Sequence, residues 1–594
     1  MNFIKIVFGS CLGTILATFL VLFLSIGIIS VIVSSAGSEN KKPLDKASFL
    51  EIRVDKMYPE KTDNIMSTGF SLDEKHLGLH DLLKAIEAAS NDPKIKGILF
   101  RSGYSAMGSS SAFVLNQSLV DFKKSGKPIY AYGDYFTEGS YHLASAADRI
   151  ILNPNGMIEL KGFGAMIPFF KELLDKTGIT FDIYYAGQFK SATEPFRLGK
   201  MSDQNRSQTR EYLEDLYQFH LDDISKNRDI SVADLRMISN EYLSRSSEDA
   251  MKFKLADTLG YLDDAYRLIQ QTLGISEKTK PSIISATRYF ESIDTKTQTA
   301  PINSGKIAIL FAEGEIVDGE GNYGQIGSAK YQRLLRKIRQ DDKIKALVLR
   351  VNSPGGSSLA SDNILHEIQL IKQAGKPVVV SMGDYAASGG YYIACQADTI
   401  FAEPNTITGS IGVFFMIPNV SELLGDKIGI DIDTVRTGRF TTAFNPFMPW
   451  SSEEGIIAQK QTDMVYDRFL SVVAEGRNMS KSAVHEIAQG RVWSGQRAMT
   501  NGLVDASGGL EDAIHCAAQL ARLDEYRTSE FPAVKEPFLQ WMERLTNMEP
   551  EMSESHLKKQ FGSWYSTYKQ ITQWTTAGNH TQPLMRLPFR ISIQ

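Results

Sequence analysis

The longest apolar run lies near the start of the chain: no charged residue occurs between Lys5 and Glu39, and Ile6 to Val33 is dominated by Ile, Leu, Val and Phe. Such a run is long enough to cross a bilayer as a helix, which takes roughly 20 residues. A cleaved signal peptide is the competing reading, and Ser34 and Ala36 suit its small-residue positions. Signal peptides, however, carry an apolar core of only about 7 to 15 residues. The pattern therefore predicts a retained membrane anchor over residues 1–36. Beyond it, short β-branched runs alternate with helical patterns. Ala346 to Val351 reads as a strand, Leu359 to Lys372 as a helix, Pro377 to Ser381 as a strand, the segment opening at Ser388 as a helix, and Thr399 to Ala402 as a strand. This alternation predicts an α/β fold, with a parallel sheet covered by helices.

The same pattern occurs twice. Residues 92–101 (DPKIKGILFR) match 342–350 (DKIKALVLR), 125–134 (SGKPIYAYGD) match 374–384 (AGKPVVVSMGD), and 147–154 (ADRIILNP) match 397–404 (ADTIFAEP). Further on, 186–196 (AGQFKSATEPF) align with 437–447 (TGRFTTAFNPF). Internal similarity over so long a stretch predicts two homologous domains, at 48–290 and 303–530, joined by a linker at 291–302. Residues 531–594 carry Trp541, Trp564 and Trp574 in a helical pattern. They are expected to form a helical tail that packs on the body or touches a membrane or a neighbouring subunit.

Composition narrows the function. A chain of 594 residues exceeds what one core supports. Its net charge of -5 and the lack of any Lys/Arg-rich block exclude a nucleic-acid partner. Cys11, Cys395 and Cys516 are scattered, with neither CxxC spacing nor a Cys/His cluster, so no metal site or disulfide framework is expected, and no cofactor either. Orientation across a membrane stays open, because only Lys5 precedes the apolar run whereas Lys41, Lys42 and Lys46 follow it.

The candidate chemistry lies in two loops of the second repeat. Val351 to Ser358 (VNSPGGSS) follows one strand and precedes a helix, so that Pro354 presets a turn and Gly355 and Gly356 leave bare amides facing a ligand. Asp384 to Tyr392 (DYAASGGYY) joins the next strand to a helix and puts the Ser388 hydroxyl beside the Gly389 amide. Together the two loops supply both halves of an oxyanion hole and a nucleophile. Either one alone reads as a helix cap. Aligning the repeats sets Glu138 opposite Ser388 and Thr441 opposite Lys190, so that each half holds one candidate catalytic residue: a serine in the second, a lysine in the first. A dyad assembled across the two halves accounts for both asymmetries, although Lys190 alone reads as a surface lysine.

Asn352 to Gly356 with Ala387 to Gly390 resembles the superfamily of the Clp proteases and signal peptide peptidase A, which has the crotonase-like fold. The two halves together resemble the long, tandem form of the signal peptide peptidase A family, from the anchor to about residue 530. That resemblance implies two tandem crotonase-like domains behind an N-terminal transmembrane helix. It also implies a serine endopeptidase with Ser388 as nucleophile and Lys190, in FKSATEPF, as general base. Ser410 in TGSIG would be the hydroxyl that orients the lysine, although a turn hydroxyl is the plainer reading. The oxyanion donors would be Gly389 and either Gly355 or Gly356. Clp proteases place a His about 25 residues after the serine, whereas none occurs here between His366 and His485. The resemblance further implies cleaved signal peptides and similar hydrophobic peptides as substrates, a homotetramer, and a single-pass protein of the bacterial inner membrane with an extracytoplasmic body.

A lysine with its ordinary pKa of about 10.4 is protonated at neutral pH, so Lys190 serves as a base only if burial lowers that value, to about 7 to 8. Two other classes compete with the peptidase reading. One is an acyl-CoA-binding enzyme, because crotonase-like folds also bind thioester oxygens between paired amides. The other is a non-catalytic membrane scaffold.

Overall fold

The computed structural model describes residues 46–54, 58–62, 77–103, 107–293, 300–301, 304–322, 324–533 and 584–586. The expected anchor lies outside these residues, as do the three tryptophans of the tail. No described helix is long and apolar enough to cross a membrane.

The repeat in the sequence is a repeat in the sheets. In the first half the strand order is Thr258–Leu259, Arg149–Leu152, Ile129–Gly133, Ile95–Arg101, Ser48–Arg53, Ile283–Ser285, all parallel. In the second half the order Ala506–Ser507, Thr399–Ala402, Val378–Ala387, Ile344–Ser353, Gly305–Glu313, Tyr526–Phe531 repeats it strand for strand. The central strands are continuous runs of apolar residues because helices cover both of their faces. Ile98, Leu99, Phe100, Leu347, Val348 and Leu349 are all buried. Helices match across the halves as well, with Ser109–Lys123 corresponding to Ser358–Gln373 and Asp203–Arg228 to Ser452–Arg477. Ser202 and Ser451 cap the last two, each accepting a backbone N–H three residues on.

A third sheet stitches the halves together, in the order Gln325–Gly327, Glu315–Val317, Gly355–Ser357, Leu584–Arg586, Val413–Asn419, Thr180–Ala186. Thr180–Ala186 belongs to the first repeat in sequence, yet it pairs antiparallel with Val413–Asn419 of the second, from Ala186 opposite Val413 to Thr180 opposite Asn419. The corresponding stretch of the second repeat forms no strand, and Ile430, Ile432 and Val435 are exposed there. Further bonds lock the halves: buried Arg350 is 2.8 Å from Glu60, and Asp384 accepts from Ser111 N and Oγ at 2.8 and 2.7 Å. Of the expected helical tail only residues 531–533 and 584–586 are described, and Leu584–Arg586 form a strand. Gly355–Ser357 and Val413–Asn419 each present an open edge, and pairing with both satisfies the main chain of residues 584–586 better than a free helical turn would.

Candidate active site

The strand Val378–Ala387 ends directly before Ser388, which caps the short helix Gly389–Ala394. Ser388 has φ 55° and ψ -117°, a conformation that L-residues rarely adopt and that costs on the order of 1–3 kcal/mol. Its surroundings hold it there: Ser388 N donates to Gly409 O at 2.8 Å, and Ser388 O accepts from Tyr392 N at 2.9 Å.

Lys190 comes from the loop that leaves the cross-half strand Thr180–Ala186. Phe189 N donates to Gln489 O at 2.8 Å, Lys190 N donates to Gly187 O at 3.1 Å, and Gln208 Nε2 donates to Phe189 O at 2.9 Å. Gln208 Oε1 in turn accepts from Val492 N at 3.3 Å, so the lysine loop is clamped to the second half from two sides. Gly490, at φ 80°, lies against it so closely that a Cβ there would fall 2.6 Å from Lys190 N.

The two residues meet. Lys190 Nζ stands 2.8 Å from Ser388 Oγ, 3.1 Å from Ser410 O and 3.1 Å from Ser410 Oγ. Lys190, Ser388 and Ser410 are all buried. Burial holds the Lys190 amine well below the ordinary lysine value, and no carboxylate offsets the loss of water. The three contacts suit a neutral amine, which has two N–H donors and one lone pair. In that form the two donors would serve Ser410 O and Oγ and the lone pair would be left for the Ser388 hydroxyl. Ser410 is itself set by a tight turn, at φ 51°, with its N–H donating to Arg491 O at 2.7 Å.

Gly355 and Gly356 lie on the short strand Gly355–Ser357. Gly355 has φ 98°, and its N–H donates to Ser353 Oγ at 3.1 Å. A Cβ on Gly355 would lie 2.7 Å from Gly389 N, so the two loops of the sequence motif touch through bare backbone. His485 bonds Tyr466 OH through Nδ1 at 3.0 Å. The repeat counterparts do something else. Glu138 is buried and accepts from the Lys161 and Gly162 amides, and burial raises its carboxyl to about 7. Thr441 is exposed. Cys395 and Cys516 are both unpaired.

The profile of peptidase family S49 matches twice, at residues 121–276 and 371–524. The chain belongs to peptidase family S49. Among its relatives, Protease 4 of Haemophilus influenzae is 34% identical over 510 residues, covering 83% of this chain and 82% of that one. Protease 4 of Salmonella typhi is 37% identical over 461 residues, covering 75% and 73%. The chloroplastic serine protease SPPA of Arabidopsis thaliana is 31% identical over 454 residues, covering 75% and 66%. A ClpP1 structure from Listeria monocytogenes overlaps with 35% of this chain and 94% of its own at 18% identity, but its TM-score of 0.24 is too low to carry an argument. Family membership makes the chain a serine-type endopeptidase.

Three features of the site have no signature in the motifs. Gln208 and Gly490, which hold the lysine loop, lie far from both catalytic loops in sequence and act through the contact between halves. Leu584–Arg586, paired with Gly355–Ser357, is separated from the body by some fifty residues of chain. The short apolar run around Met585 was its only trace.

Proposed function

We propose that the chain hydrolyses peptide bonds with Ser388 as nucleophile and Lys190 as general base. The observation that carries this reading is the 2.8 Å approach of a fully buried amine, held below its ordinary pKa, to a serine hydroxyl on a strained turn. Neutral Lys190 takes the Ser388 proton as Oγ attacks the carbonyl carbon. The ammonium so formed protonates the leaving amine, and water then hydrolyses the ester. The oxyanion faces the amides of Gly389 and Gly356, because Ser353 Oγ already occupies the amide of Gly355. Ser410 orients the amine through its carbonyl and hydroxyl. Substrates enter as extended strands between Gly355–Ser357 and Val413–Asn419, so recognition is mainly through the peptide backbone.

The substrates we propose are signal peptides and other hydrophobic peptides, met at a bacterial inner membrane to which residues 1–36 anchor the chain with its body extracytoplasmic. The apolar run from Ile6 to Val33 and the family membership support this. Assembly into a homotetramer draws support from the exposed Met166, Ile430, Ile432 and Val435, large apolar side chains of the kind a neighbouring subunit covers. Two crotonase-like domains, at 48–290 and 303–530, are the units of this reading, supported by the matching strand orders.

The test is hydrolysis of a fluorogenic hydrophobic peptide by the detergent-solubilised chain, beside Ser388→Ala and Lys190→Ala variants of matched melting temperature. Both variants should lose activity, and only chains that retain Ser388 should be labelled by a serine-directed phosphonate. Hydrolysis surviving in Ser388→Ala would move the nucleophile elsewhere.

A further inference from the structure

Arg491 is in contact with both the Lys190 loop and the Ser410 turn, although it belongs to neither. Its carbonyl accepts from Ser410 N at 2.7 Å, and its own N–H donates to Ala488 O at 2.9 Å. The strand Val492–Ser494 begins at the next residue and pairs antiparallel with Ile407–Gly409, so Arg491 stands at the end of that ladder, where the Ser410 turn starts. The two residues before it reach the lysine. Gln489 O accepts from Phe189 N at 2.8 Å, and Gly490 lies against Lys190. The main chain of 489–491 thus joins the loop that carries the amine to the turn that carries its two acceptors.

The Arg491 side chain makes a second, separate connection. Its Cζ lies 5.0 Å from the centre of the Phe189 ring and 4.3 Å from that of Trp493, and Nη2 donates to Glu211 Oε2 at 2.6 Å. Nε is buried and has no hydrogen-bond partner among the described residues, so two ring faces and one carboxylate hold the head. A planar guanidinium suits such a place, because it stacks on aromatic faces and pairs with a carboxylate at its edge. Phe189 and Glu211 come from the first half and Arg491 and Trp493 from the second. The other charged groups of this contact are accounted for: Arg497 donates to Asp215 at 2.6 and 2.9 Å and lies 3.8 Å from Glu211. Phe189, Arg491 and Trp493 are each half-buried, whereas Lys190, one residue on from Phe189, is 1% exposed. The chain passes from solvent to a dry amine within that single step.

We propose that Arg491 is a positioning residue for the Lys190 amine: its carbonyl sets the Ser410 turn, and its guanidinium, laid on Phe189 and pinned by Glu211, keeps the lysine loop closed to water. This deepens the Ser388–Lys190 reading above and rests on it. Burial is what depresses the Lys190 amine, so the fraction of neutral base at a given pH depends on how completely water is kept out. Arg491→Ala leaves the main-chain bond to Ser410 in place and removes only the guanidinium. Its effect is therefore opposite in sign to the loss of an acceptor of the ammonium: water reaches the amine and its pKa climbs toward the ordinary lysine value.

The test is the pH profile of kcat and of kcat/KM on a fluorogenic apolar peptide, with the full chain in detergent. Wild type is compared with Arg491→Ala, Arg491→Lys, Phe189→Leu and Lys190→Ala. Arg497→Ala serves as a control that removes an ion pair between the halves without touching the lysine loop. Arg491→Ala should lower kcat about tenfold with KM nearly unchanged, and move the acidic limb up by about one pH unit. Arg491→Lys keeps a charge for Glu211 but not the stack, and should fall between. Phe189→Leu removes the ring and should move the limb the same way, which keeps the proposal testable if Arg491→Ala does not fold. Arg497→Ala should leave kcat and limb near wild type. A folded Arg491→Ala with wild-type kcat and limb overturns the proposal. So does a fall in kcat with the limb unmoved, which would make Arg491 only a brace between the halves, and so does a limb moved to lower pH. Lys190→Ala with wild-type activity and limb overturns the Ser388–Lys190 reading itself.

Discussion

Lys190 Nζ and Ser388 Oγ lie 2.8 Å apart although 198 residues separate them in the chain, and each is supplied by a different copy of the same repeat. Burial without an adjacent carboxylate favours the neutral amine there. Replacing Lys190 with Arg is expected to abolish hydrolysis as fully as replacing it with Ala, since guanidinium keeps its charge and accepts no proton. Steady-state kcat/KM on a fluorogenic apolar peptide checks this, and an arginine variant with activity near wild type would rule out a lysine base.

The rate should rise with pH along a single limb as Lys190 loses its proton, with the midpoint below the ordinary lysine value because burial depresses it. A pH profile of kcat/KM checks the direction. Flat activity down to acidic pH would mean that Lys190 is not the group being titrated.

The same shift has a stability consequence. Between the depressed folded pKa of Lys190 and its unfolded value of about 10.4, the unfolded chain binds more protons, so stability rises with pH and falls as the solution is acidified through that window. Lys190→Met removes the group. Wild type should lose stability relative to Lys190→Met on acidification, at up to about 1.4 kcal/mol per pH unit within the window. Paired denaturant titrations at several pH values measure it, and parallel stability curves would contradict it.

Ser410 acts through Lys190. Ser410→Ala removes one acceptor at 3.1 Å but leaves the carbonyl at 3.1 Å, so activity should fall roughly tenfold rather than vanish. The hydroxyl favours the ammonium more than the amine, so its loss should also move the pH limb to lower pH. An unshifted profile would reduce Ser410 to a turn residue.

Gly490 tests the clamp between halves. At φ 80°, with a would-be Cβ 2.6 Å from Lys190 N, Gly490→Ala must push the lysine loop away from Ser388. A displacement near 1 Å is expected to lower kcat about 100-fold while the second-half sheet keeps its fold. Kinetics together with circular dichroism separate this from unfolding, and unaffected kcat would show that the loop tolerates the shift.

Much of the architecture was legible because it is local. The strand Thr399–Ala402 has the bounds its apolar run predicts, and Ser358–Gln373 begins and ends within a residue of the expected helix. The duplication was readable from matched segments, and the asymmetry of Lys190 and Ser388 between the copies pointed to one site shared by both. The oxyanion donor was not decided by the motif, because Gly355 and Gly356 are identical as letters. The proposed choice of Gly356 rests on Ser353 Oγ accepting from the Gly355 amide.

The strand Leu584–Arg586, within the tail expected to be helical, shows where such reading stops. Periodicity records which face of a segment is apolar but not whether an open strand edge elsewhere will claim its main chain, and Leu584–Arg586 is claimed by two. The sequence by itself determined the repeat, the parallel sheets and the residue types at the site, since these follow from propensity and from short-range spacing. Only the tertiary structure decided that Thr180–Ala186 leaves its own repeat to pair with Val413–Asn419, that Lys190 is thereby buried against Ser388 without a counter-charge, and that Met585 lies in the groove. Each of these depends on edges and cavities created by residues hundreds of positions away, and on the free energy of satisfying backbone groups once water is gone.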